Sequence, residues 1–206
     1  LLPVPELRFW AHGGTIISAA TPGTICFPDS RMFATDVIQH RGEVMTPDTP
    51  QLWERDTLII SNGWLRFAQN GFNLVVTNNL TLIGNNTIAS EKKEHYRSAG
   101  RLDLFAAELS VGGNLTVTNG ASIYVYPGED VSNLAINGDL NLNLNSIFTY
   151  HATPTNGVND TNNGGLLTVS GKLELSNNSW LYPVSDWTNG ASIFMEADSL
   201  IVNATA

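Results

Sequence analysis

The stretch LSVGGNLTVTNGASIYV, Leu109 to Val125, decides how the chain is read. Leu109 and Val111 form one apolar pair, a Gly-Gly-Asn bend follows, and Leu115 and Val117 form a second pair. After Asn119 and Gly120 the apolar pattern resumes at Ile123. Alternation with a period of two, β-branched residues and Gly or Asn breaks specify short strands joined by tight bends. A helix would need apolar residues three and four apart, and no convincing amphipathic helix is present anywhere in the chain.

The same template recurs as LVVTNNLTL from Leu74, LAINGDLNL from Leu134, LTVSGKLEL from Leu167 and, in weaker form, FMEADSLIV from Phe194. In each copy a leucine follows the first apolar residue by six positions. These anchors, Leu80, Leu115, Leu140, Leu173 and Leu200, are 35, 25, 33 and 27 residues apart. Eight residues beyond the first four anchors stand Ile88, Ile123, Phe148 and Leu181, which reads as a third strand. The uneven period is assigned to loops after that third strand.

Three short strands cannot bury an apolar face alone, but copies stacked about 4.8 Å apart merge their Leu, Val and Ile positions into continuous columns. The expected fold is therefore all-β: a right-handed, single-stranded parallel β-helix, or β-solenoid. An up-and-down β-sandwich is the rival and explains the constant six- and eight-residue offsets less well. Asn119, Asn145 and Asn177 or Asn178 fall at nearly one offset after the second strand, which fits either a stacked amide ladder or ordinary turn preference.

Residues 1–56 carry Pro3, Pro5, Pro22, Pro28, Pro47 and Pro50 and no copy of the template, so they read as an irregular N-terminal cap or first turns. Residues 57–206 read as rungs. Leu58 to Phe67 looks like a first rung, although Leu65 to Leu80 is short for a full coil. The chain begins at Leu1 without a signal-like segment and stops just after a strand-like Leu200-Ile-Val, so rungs are expected to continue in a longer parent protein.

The composition bounds function by exclusion. The chain has 206 residues, 42% hydrophobic and 14% charged, enough for one sizeable core in a single domain. A net charge of −9 leaves no basic surface for a phosphate backbone, so nucleic acid is not an expected partner. A single cysteine, Cys26, excludes an intrachain disulfide and any multi-cysteine metal site. No apolar run reaches the length of a membrane-spanning helix.

The rungs GNLTVTNGASI (residues 113–123) and GDLNLNLNSI (residues 138–147) resemble those of bacterial surface β-helix proteins, including autotransporter passenger domains and filamentous adhesins. The resemblance covers residues 58–206. It implies the β-helix fold, export, and a role in attachment or display at the cell surface or after secretion. Pectate-lyase-like enzymes share the same coil, so the resemblance carries over no catalytic motif.

Four groupings of residues bear on chemistry. The loop from Glu91 to Arg101 holds Lys92, His95, Tyr96, Arg97 and Arg101, the residue types that β-elimination of a uronate polymer uses; the plainer reading is a solvated loop. Glu129 with Asp130, Asp139, Glu174 and Glu196 are carboxylates that a glycoside hydrolase would need in pairs, and exposed coil faces explain them as well. The four histidines lack ligand spacing and no cofactor is implied; no dedicated metal site is expected, although Asn159 to Asn162 offers a weak cation site. Asn-x-Ser/Thr sequons begin at Asn79, Asn85, Asn114, Asn159, Asn177 and Asn203.

The fourth grouping lies on the third strand. If Ile123, Phe148 and Leu181 point inward, Tyr124, Thr149 and Tyr182 point outward, with Ser122, Ile147 and Trp180 on the same outer side. Tyr124, Trp180 and Tyr182 then form an aromatic row with a pitch of about 10 Å, suited to stacking on an extended glycan. The expected function is a non-catalytic surface or adhesion module that binds a polysaccharide or cell-surface glycan. A β-helix lyase or hydrolase is the alternative, and a structural stalk or filament that stacks end to end is the second.

Overall fold

The computed structural model describes residues 9, 11, 23–27, 36–45, 52–61, 63–85, 100–126, 133–154, 164–188 and 190–203. Among the described residues eighteen strands, numbered in chain order, account for the regular structure, and no helix occurs. The strands fall into three rows visited in a fixed order. The first row is β4 (Leu52–Arg55), β7 (Asn73–Val76), β10 (Glu108–Val111), β13 (Asn133–Ile136) and the leading halves of β16 (Gly165–Leu175) and β18 (Ile193–Val202). The second is β2 (Val37–Ile38), β5 (Leu58–Ser61), β8 (Leu80–Ile83), β11 (Leu115–Thr118), β14 (Leu140–Leu142) and the trailing halves of β16 and β18. The third is β1 (Thr24–Cys26), β3 (Arg41–Met45), β6 (Trp64–Phe67), β9 (Arg101–Phe105), β12 (Ser122–Tyr126), β15 (Ile147–His151) and β17 (Trp180–Val184).

Every strand pairing among the described residues is parallel. The third row is a seven-stranded sheet, and the first two rows are joined into one larger sheet because β16 and β18 run through the bend between them. A parallel repeat of this kind is a β-solenoid pattern in which each unit is stabilised by its neighbours.

The register explains the leucine spacing. Leu80, Leu115, Leu140, Leu173 and Leu200 are consecutive partners, and the column begins one unit earlier at Leu58. Leu58, Leu80, Leu115 and Leu140 are fully buried. Each such side chain contributes about 1.5–3 kcal/mol by leaving water. Ile123, Phe148 and Leu181 likewise stack in the third row.

Strands of both sheets occur upstream of residue 57, in β1 to β4. Several expectations about register need correction. The residue equivalent to Leu80 in the preceding unit is Leu58, while Leu65 belongs to the third row and pairs with Leu102, which removes the apparent shortness of that coil. Leu102 also takes the third-row place expected for Ile88, which lies outside the described residues. The long connection of that unit therefore falls between its second and third strands rather than after the third. In the last unit Met195, not Phe194, pairs with Leu167, because β18 has one residue fewer than β16 across the bend. The slip turns Phe194 outward.

The two bends are built differently. Between first and second strands, the side-chain oxygen of Asn79 accepts from the Asn114 N–H (2.8 Å), that of Asn114 from the Asp139 N–H (2.8 Å), and that of Asp139 from the Lys172 N–H (2.9 Å). Glycine precedes each residue that donates its N–H to the ladder, at Gly113, Gly138 and Gly171, because a Cβ there would collide with the ladder side chain of the previous unit. Between second and third strands the chain turns through left-handed residues: Asn119 (φ 60), Leu144 (φ 49), Asn145 (φ 63), Asn177 (φ 50) and Asn178 (φ 61). Asparagine tolerates that region, and the Asn178 amide also donates to Asn145 (2.7 Å). Turn preference and amide stacking therefore act together at this second bend.

Candidate functional site: the outer face of the third row

Pairing across β6, β9, β12, β15 and β17 places Arg66, Asp103, Tyr124, Thr149 and Tyr182 in one outward column. Trp64, Arg101, Ser122, Ile147 and Trp180 form the next. The expected alignment of Tyr124 with Tyr182, one strand intervening, is present. Their surroundings differ.

Arg101 lies only 3% exposed in the centre of the face. Its Nε donates to Asp103 Oδ1 (2.6 Å), and Asp103 Oδ2 also accepts from Trp64 Nε1 (2.9 Å). The guanidinium carbon sits 4.7 Å from the Trp64 ring centroid and 4.2 Å from that of Tyr124. Burial opposes the charge on Arg101, but the Asp103 carboxylate, by charge and by hydrogen bond, outweighs it and holds the guanidinium above its ordinary pKa. A buried cation with a carboxylate and two aromatic rings around it is a locked unit.

The locked unit changes the standing of two candidates. Tyr124 points outward yet is 7% exposed, because Arg101 covers its ring. It is therefore not an open stacking surface, as the aromatic row required. Arg101 holds no free face toward a uronate. Lys92, His95, Tyr96 and Arg97 lie outside the described residues, as do Glu129, Asp130 and Asn159 to Asn162.

Beside the locked unit runs a second set of rings that the sequence reading did not select. Phe105 and Tyr126 stack at 4.1 Å, and Tyr126 and His151 at 5.1 Å, with Arg66 over Phe105 at 4.0 Å. The rings lie near-parallel along the stacking direction, so their faces are used on one another and only edges turn outward. Burial lowers the pKa of His151 below the ordinary imidazole value.

The last strand is open by contrast. Trp180 is half-buried, Tyr182 is 45% exposed, and Trp187, just beyond β17, is 92% exposed. Trp180 and Tyr182 are two residues apart on the outer face, about 6.6 Å along the strand. Trp187 escaped the sequence reading because it lies in a turn, outside the strand alternation.

Among the described residues no cluster of three His, Cys, Asp or Glu side chains is placed to hold a metal ion. Asp139 and Glu174 sit at different bends or strands: Asp139 is committed to the Lys172 N–H, and Glu174 pairs with the Lys172 ammonium (2.7 Å). No helix among the described residues is long and apolar enough to cross a membrane. Comparison with known proteins adds no further constraint: no family model, no curated protein and no solved structure matches this chain.

Proposed function

We propose that the chain is a right-handed, single-stranded parallel β-helix that serves, secreted or at the cell surface, as a non-catalytic attachment module binding an extended polysaccharide. The right hand is supported by the strong preference of parallel crossover connections for that sense. The extracellular setting rests on the resemblance of the rungs to bacterial surface β-helices.

One observation carries the binding reading: on the last third-row strand Tyr182 is exposed on the outer face beside half-buried Trp180, whereas Tyr124 in the same column is buried under Arg101. Rigid rings lose little entropy on binding and offer apolar faces to sugar C–H groups. The absence of a convergent acid–base set on the described outer face favours binding over turnover, because its one buried carboxylate, Asp103, is held by Arg101 and Trp64.

A glycan array probed with the chain and with its Trp180→Ala, Tyr182→Ala double variant tests this. Binding to a polysaccharide that the double variant loses is the expected result; no binding, or binding that survives, rejects it. Turnover of pectin or alginate abolished by His95→Ala would instead establish the lyase alternative. His95 is the cleaner probe, since Arg101→Ala strands Asp103 and disturbs the fold.

A structural-spacer reading has its own support. The core columns end in Met195, Leu200 and Val202, which face inward by register and yet are exposed, Leu200 by 64%. Such an exposed apolar face suits end-to-end stacking with another molecule, and a stalk that binds no glycan would leave this as its main property.

A further inference from the structure

The turn that follows β17 is organised to display one side chain. Its base is closed by the Asp186 N–H on the Ala191 carbonyl (2.8 Å) and the Gly190 N–H on the Asp186 carbonyl (2.9 Å). The Ser185 and Ser192 hydroxyls meet across it at 3.2 Å. Inside the turn the Asp186 carboxylate accepts from the Thr188 N–H (2.9 Å) and from the Thr188 hydroxyl. Gly190 takes the left-handed conformation (φ 74) that lets the chain return. Trp187 stands in this frame almost wholly in water.

Holding an indole in solvent on a self-bonded turn is unfavourable for an isolated molecule and favourable for a contact residue, whose ordering cost is already met. Trp187 follows Trp180 and Tyr182 in the chain, three residues beyond the end of β17. Trp180 and Tyr182 lie along one strand, across the stack, and not in a row running up it through Tyr124.

Charge selects among ligands. Residues 164–203 contain one lysine, Lys172, already paired with Glu174, against four carboxylates, Glu174, Asp186, Glu196 and Asp198, and the whole chain carries −9. No cation of this segment is left to neutralise a uronate or a sulfated sugar, and the local field repels both.

We propose that the ligand of this face is an uncharged glycan that lies across the last unit and is gripped by Trp187 together with Trp180 and Tyr182. This rests on the polysaccharide-binding reading above and adds the ligand's class, its direction and a third contact residue. Sugar recognition by stacking needs no charge on the ligand, and polar neighbours such as Thr188 and Ser185 supply hydrogen-bonding groups beside the rings.

Calorimetric titration of the purified chain with uncharged hexose hexamers (β-1,4-glucan, β-1,3-glucan and β-1,4-mannan) and with a galacturonate hexamer tests it at low salt, where charge effects are largest. At least one uncharged hexamer is expected to bind and the galacturonate not to. Trp187→Ala is expected to weaken that binding by about tenfold or more, the loss of roughly one stacked ring, with an unchanged melting temperature. Asp186→Ala, which frees the turn while keeping the indole, is expected to weaken it less.

Binding of an uncharged hexamer that is unaffected by Trp187→Ala but lost in the Trp180→Ala, Tyr182→Ala variant overturns this inference and leaves the broader reading standing. Tighter binding of galacturonate overturns the assigned class. Failure of every hexamer, charged or not, removes both.

Discussion

Tyr124 and Tyr182 occupy the same outward column of the same sheet, two strands apart, and meet opposite fates. Around Tyr124 an arginine fills the space between two rings and a carboxylate neutralises it, so a face that could have been open is closed by side chains from three neighbouring strands. Around Tyr182 nothing of that kind is present on the described neighbours, and the ring is accessible. Strand alternation determines which way a residue points; whether that direction leads to water depends on what stands beside it one unit away. In this molecule the central third row uses its outer face for cohesion, and on the last strand Tyr182 is accessible on that face.

Removing the carboxylate is the strongest way to break the contrast. Asp103→Ala strands a buried guanidinium and is expected to cost about 3–5 kcal/mol, read from chemical denaturation. Tyr182→Ala should stay within about 0.5 kcal/mol of the parent. Equal losses would mean that the two positions are not different in kind. Because the cost lies in the unpaired charge, the double change Arg101→Met, Asp103→Leu is expected to recover most of it.

Trp64→Phe keeps a ring beside Arg101 but withdraws the N–H that Asp103 accepts. A loss of about 1–2 kcal/mol is expected, with thermal melting as the measurement. A value near zero would place the cohesion in packing alone.

The bends give smaller effects of opposite sign. Asn114→Ala removes a ladder oxygen from the Asp139 N–H, at an exposed corner, and is expected to cost about 1 kcal/mol. Leu144 holds φ 49 while exposed, so its side chain earns little from burial and strains its backbone. Leu144→Gly is expected to stabilise by up to about 1 kcal/mol. A destabilising Leu144→Gly would show that the leucine packs against something that outweighs the strain.

Much of this architecture was legible in the sequence, and the limits have physical causes. The six-residue step from Leu109 to Leu115 survives in every full copy because it spans two strands and a bend that stacks on its neighbours. Third-row positions are tied to that step only where the second bend keeps its length. In the unit of Leu80 it does not, so the eight-residue offset points to Ile88 while the third-row place belongs to Leu102. The shortened bend in β18 similarly hid the outward turn of Phe194.

The locked unit around Arg101 was not legible for a related reason. Its members come from β6, β9 and β12, and their meeting depends on a register that crosses connections of unequal length. The aromatic residues could be assigned to an outer face, but not the arginine that closes over one of them. Trp187 was missed because periodicity says nothing about a turn residue, whereas an exposed tryptophan framed by Asp186 and Gly190 is visible once the turn has a shape.

The central claim is that contact is confined to the last strand and its turn. Hydrogen–deuterium exchange of the chain, with and without a bound oligosaccharide, tests it most directly. Ligand-induced protection at residues 180–188, with residues 101–126 unchanged, is the predicted result; protection centred on Arg101, Tyr124 and Tyr126 would contradict it.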